Sequence, residues 1–155
     1  MRAILALTLT AALVGCHRTA TPTVTPQQAS PMRETTRAHE RLLDGETPGL
    51  QWRIEGVLPT AVDLFVPQRV VGRSRAPLVI HFMGATWLPR RAVASMPEPV
   101  IVAAVHLGSG SAINARPFAD DTSRFTKLLS AITSRLASTS GAPQVSDVYL
   151  SAWSA

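Results

Sequence analysis

Two nearly continuous apolar runs limit what this chain can fold into. Leu78-Val79-Ile80-His81-Phe82 and Val100-Ile101-Val102-Ala103-Ala104-Val105 lack the in–out alternation of a strand with one wet face. They predict parallel strands covered on both faces, which requires helices above and below one sheet. Between them, Gly84 to Pro89 reads as a loop and Arg90 to Met96 as a short helix. After them, Leu107 to Pro117 reads as a long loop opened by Gly108-Ser109-Gly110-Ser111. This is not a phosphate loop, because no Lys-Ser/Thr follows it on a helix. Asp120 to Ser138 is the strongest helical stretch. Phe125, Leu128, Leu129, Ile132 and Leu136 fall along one stripe. Asp120 and Asp121 are expected in its first turn, where negative charge is favoured. Gly141-Ala142-Pro143 stops it, and a short strand from Asp147 to Leu150 follows.

Upstream of these runs the pattern is different. Leu50 to Glu55 alternates apolar and polar, as does Val62 to Val66, with Pro59 and Thr60 marking a turn. Two alternating strands around a short turn predict an antiparallel hairpin. Hairpin followed by βαβαβ predicts an α/β fold with a mixed sheet and right-handed crossovers. At 155 residues, 46% hydrophobic and 16% charged, the chain can bury one core and little more. The net charge of +5 comes from scattered arginines rather than a concentrated basic face, so no nucleic-acid partner is implied. One cysteine excludes an internal disulfide. His17, His39, His81 and His106 lie far apart in sequence and no Cys/His pair has zinc spacing, so no metal or other cofactor is implied.

The amino-terminal segment points to export. Met1-Arg2 is a minimal positive region, and Ala3 to Val14 is an apolar run too short to span a bilayer, which takes about 20 residues. It suits the core of a signal peptide. Leu13-Val14-Gly15-Cys16 resembles the bacterial lipobox. That resemblance implies cleavage before Cys16, lipidation of its thiol, and attachment of the exported protein to a membrane of the cell envelope. Two or more acyl chains, at about 0.8 kcal/mol per buried CH₂, make such anchoring stable. Residues 17–31, rich in Thr and Pro, read as an extended tether. The expected organisation is a signal peptide over 1–15, a lipidated tether over 16–31 and one domain over 32–155. That domain opens on a short helix from Met32 to Leu43, with Ser30 as its cap.

The carboxy-terminal stretch carries the chemistry. Val148-Tyr149-Leu150 runs directly into small residues around serines: Ser151-Ala152-Trp153-Ser154-Ala155. A strand feeding a tight turn is how some enzymes present a nucleophile. The turn requires small residues two before and two after the serine. Ala152 satisfies the first condition for Ser154, whereas Tyr149 makes Ser151 a poor candidate.

With His81-Phe82-Met83-Gly84-Ala85 at the end of an earlier buried strand, the sequence from Trp52 to Ala155 resembles the α/β-hydrolase family. The resemblance implies an oxyanion stretch at Gly84-Ala85, although Met83 stands where many relatives have histidine. It implies Ser154 as nucleophile, with the backbone N–H groups of Ala85 and Ala155 as oxyanion donors and Gly84 shaping the loop. Loss of one such donor typically costs about 10²–10³-fold in rate. The expected reaction is hydrolysis of an ester-like small molecule through an acyl-enzyme. In this family the acid and the histidine follow the serine, so His81 and His106 are read as structural. Trp87 and Trp153 flank the expected site and would line a pocket or pack at its rim. The chain is therefore expected to be the N-terminal part of an α/β-hydrolase fold cut at the nucleophile elbow. It would be inactive alone, with Val148-Tyr149-Leu150 left as an exposed apolar edge. The alternatives are a non-catalytic envelope lipoprotein with the same fold, or a decayed product.

Overall fold

An antiparallel hairpin starts the sheet. β1 (Gly49–Ile54) pairs with β2 (Val62–Pro67), Leu50 opposite Val66 and Ile54 opposite Val62. The structure is a computed structural model, and it describes residues 46–153. The expected signal run, Cys16, the tether and the helix over 32–43 lie outside the described residues, as do Ser154 and Ala155.

A 3-10 turn, Gln68–Val70, leads on to β3 (Arg75–Phe82). Helix α1 (Trp87–Ser95) crosses to β4 (Ile101–Val105). Helices α2 (Ser111–Asp120) and α3 (Arg124–Ala137) then cross to β5 (Gln144–Ala152). The described residues form a five-stranded mixed sheet in the order β1-β2-β4-β3-β5, with helices packed against it. β2 runs antiparallel to β4, and β3 runs parallel to both β4 and β5.

The apolar runs behave as their pattern requires. Every residue of β4 is buried. Its side chains divide between two layers. Ile101, Ala103 and Val105 join Leu64, Leu78 and Ile80 against Leu128, Ile132 and Leu136 of α3. Val102 joins Phe65 and Val93 of α1 on the opposite face. Each fully buried aliphatic side chain contributes about 1.5–3 kcal/mol of hydrophobic stabilisation. The α3 stripe is thus the clamp for one layer, and α1 covers the other.

Three expectations need correction. The stretch from Leu107 to Pro117 is not all loop, because Ser111–Asp120 is helical. Asn114 explains it: its buried side-chain amide donates to the carbonyls of Gly108 at 3.1 Å and Gly110 at 2.9 Å. That ties the Gly-Ser-Gly-Ser loop to the new helix, despite the Pro117 within it. Second, the helix expected from Asp120 begins at Arg124, and Asp120 ends the helix before it. Asp121 sits in the break and accepts from Ser123 N at 3.0 Å and Lys127 Nζ at 2.9 Å. Its carboxyl pKa is held down to about 2, chiefly by the Ser123 hydroxyl and then by Lys127. Third, α1 starts at Trp87 rather than Arg90. Pro89 fits in its first turn because an amide there has no intrahelical acceptor to lose.

β5 extends beyond its expected length at both ends, and all of its residues but Val145 are exposed. Tyr149 is 57% exposed, Leu150 62% and the adjoining Trp153 51%. Among the described residues β5 has a neighbour on one side only.

Candidate active site

Parallel pairing of β3 and β5 brings their carboxy-terminal ends together. Phe82 lies opposite Ala152, and the Trp153 amide donates to the Phe82 carbonyl at 3.2 Å. The loop after β3 and Trp153 after β5 therefore lie at the same edge of the sheet.

The loop after β3 turns sharply. Met83 has φ 71° and Gly84 φ 83°. Glycine tolerates this left-handed region, but methionine pays roughly 1–2 kcal/mol for it. The Met83 amide, donating to the Val105 carbonyl at 2.9 Å, holds the residue in place. Backbone strain maintained by the surrounding structure concentrates at functional sites. A Cβ placed on Gly84 would lie 3.7 Å from the Trp153 indole, an ordinary contact, so conformation rather than crowding favours glycine. Ala85 is exposed, and among the described residues its N–H donates no backbone hydrogen bond.

Of the residues singled out in sequence, Gly84 and Ala85 thus form the turn between β3 and α1. Trp153, the residue before Ser154, covers Gly84. Ser154 and Ala155 themselves lie outside the described residues. Trp87 stands apart from this contact and lines a groove of about 360 Å³ between the start of α1 and the sheet. In that groove Arg90 donates to the Gln51 side chain at 3.1 Å, and Arg53 faces Asp63 at 4.0 Å. Ala104 contributes to the floor. His106 has a buried Nδ1 without a hydrogen-bond partner among the described residues.

Sequence reasoning missed one pairing. His81 Nδ1 lies 2.9 Å from Ser151 Oγ. The imidazole is buried, and its ring stands edge-on to Trp153, with centroids 6.3 Å apart and an interplanar angle of 89°. Burial pushes its pKa below the ordinary 6.5, against a smaller opposing effect of a backbone hydrogen bond at Met83. Register explains the pair, because His81 is directly opposite Ser151, on the same face of the sheet. The same line continues across the other strands through Ala104, Asp63 and Arg53. The available signal was a polar residue one step before the end of each of two apolar parallel strands.

No family model matches this sequence, and neither the curated proteins nor the solved structures contain a match. Among the described residues, no group of three or more His, Cys, Asp or Glu side chains is placed to hold a metal ion. No described helix is long and apolar enough to cross a membrane.

Proposed function

We propose that this chain carries the oxyanion loop and nucleophile strand of an exported, lipid-anchored serine hydrolase of the α/β-hydrolase kind. Ser154 would attack an ester-like carbonyl, and the amides of Ala85 and Ala155 would hold the oxyanion. One observation carries the reading. The left-handed Met83-Gly84 turn, with the Ala85 amide beyond it, lies against Trp153. The reading requires a nucleophile one residue after Trp153 to meet an oxyanion donor one residue after Gly84 at that corner of the sheet. In this family the second donor comes from the loop between the third strand and the following helix, where Ala85 lies here. The hairpin and the parallel strands with crossover helices agree with the same fold. The groove under Thr86 and Trp87 adjoins the loop and offers room for part of a substrate.

Ser154 needs a base, and the base needs an orienting acid. In the family both follow the serine in sequence. Reading the coding DNA past the Ala155 codon for a small residue, then a carboxylate, then a histidine tests that order. Given those groups, a fluorophosphonate labels Ser154, and Ser154→Ala removes the label. A non-catalytic binding lipoprotein would take none. Membrane attachment through Cys16 rests on the lipobox resemblance, and Cys16→Ala should release the protein into the soluble fraction. Unchanged membrane retention would refute the anchor.

A further inference from the structure

We propose that Ser151 and His81 form a second nucleophilic centre, a serine–histidine dyad at β5, which has no strand beyond it among the described residues, and that this dyad accepts activated acyl groups. It does not depend on Ser154. The separation of 2.9 Å is that of a nucleophile and its base. Because burial disfavours the charged ring, the imidazole is in its basic form at neutral pH. The Trp153 indole packs edge-on to the ring. Ser151 and Tyr149, on the same face, are both exposed, so a reagent can reach the hydroxyl.

A donor for the developing oxyanion is also at hand. In a parallel ladder every second residue turns its amide to the neighbouring strand. Trp153 N donates to Phe82 O, so the Ala152 amide faces away from β3, where no strand lies among the described residues. It follows the nucleophile directly, as oxyanion donors at strand-to-helix turns do.

The chemistry balances within the pair. The Ser151 hydroxyl proton passes to His81 Nδ1 as Oγ bonds to the carbonyl carbon. Collapse of the tetrahedral adduct breaks the ester C–O bond, and the leaving oxygen takes the proton from the imidazolium. Water repeats the sequence, releasing the acid and restoring Ser151. The groups facing the ring are Ser151 from β5, Ala104 from β4, the Trp153 indole and the Met83 backbone. The next titratable group along the line is Asp63, on the far side of Ala104. No carboxylate touches the ring among the described residues, so acylation by activated esters should exceed turnover. An orienting aspartate is worth about 10⁴-fold in a full triad.

The test treats the chain with a fluorophosphonate and with p-nitrophenyl acetate, and locates the adduct by fragment-ion mass spectrometry. The expected adduct is on Ser151. It is absent in Ser151→Ala and forms about 100-fold more slowly in His81→Gln. No adduct, or an adduct on Ser154 alone, overturns the dyad; the second result would still support the hydrolase reading. Undiminished labelling of Ser151 in a folded His81→Gln variant also overturns it. Should His81→Gln fail to fold, Ser151→Cys decides. Beside a basic imidazole, iodoacetamide alkylation of the new thiol should persist well below the ordinary thiol pKa of about 8.5. A profile centred on that ordinary value overturns the proposal.

Discussion

β4 and β5 both pair in parallel with β3, and both carry apolar runs, yet their surroundings are opposite. Every residue of β4 is buried, while β5 is exposed at all positions but Val145. β4 lies between β2 and β3, with α1 on one face and α3 on the other. β5 has β3 alone beside it among the described residues, and Val145 near its start packs against the core that α3 helps to form. An apolar sequence therefore sets the potential for burial, and position in the sheet decides whether it is realised. An apolar edge strand with an unpaired ladder is also an invitation to association.

The sharpest test of this contrast is a matched pair of truncations. Ile101→Ala, at a position with 0% exposure, should cost about 2–5 kcal/mol in urea unfolding. Leu150→Ala should change stability by no more than about 0.5 kcal/mol. Equal losses would mean that β5 is covered in solution. Leu150→Lys addresses the edge itself. It should lower light scattering at high protein concentration while leaving the unfolding midpoint nearly unchanged, since inserted lysine blocks edge pairing.

His81 stands between the two strands, opposite Ala104 on one side and Ser151 on the other. Because its folded pKa lies below 6.5, the unfolded chain takes up a proton first on acidification. Its contribution is complete above pH 6.5 and is lost as the pH falls from there through the folded value. The unfolding midpoint should drop over that window, and His81→Gln should flatten the drop. The smallest effect belongs to the connection between the strands. Asp121, held to about pKa 2, contributes above the ordinary carboxyl value of 3.8 and stops contributing as the pH falls through about 2. Asp121 is half-buried but its partner Lys127 lies at the surface, so Asp121→Asn should matter little in high salt. A midpoint measured against ionic strength at pH 6 and pH 2 checks this.

Much of the architecture was legible because the period of the pattern changes visibly. Alternation over Leu50–Glu55 gave way to solid apolar runs at Leu78–Phe82 and Val100–Val105, and those became the hairpin and the parallel centre. The stripe from Phe125 to Leu136 was readable for the same reason, and Leu128, Ile132 and Leu136 are its buried residues. α2 was not readable, because its organising contact is a side chain: Asn114 holds loop carbonyls that propensity rules cannot see. The loop at Gly84 and Ala85 was found from its motif, but the left-handed Met83 was not, since nothing local demands a strained methionine. The His81–Ser151 contact spans 70 positions and exists only once the β3–β5 register is set.

That register has one more consequence, at Ala104. Its methyl group stands in the lane between a carboxylate on β2 and the imidazole on β3, whose strands lie about 10 Å apart across it at the usual ~4.8 Å spacing. A side chain long enough to bridge that lane, such as an asparagine, would couple Asp63 electrically to His81. The scaffold thus stands a single codon change away from a wired acid–imidazole–hydroxyl relay, and an alanine keeps the circuit open.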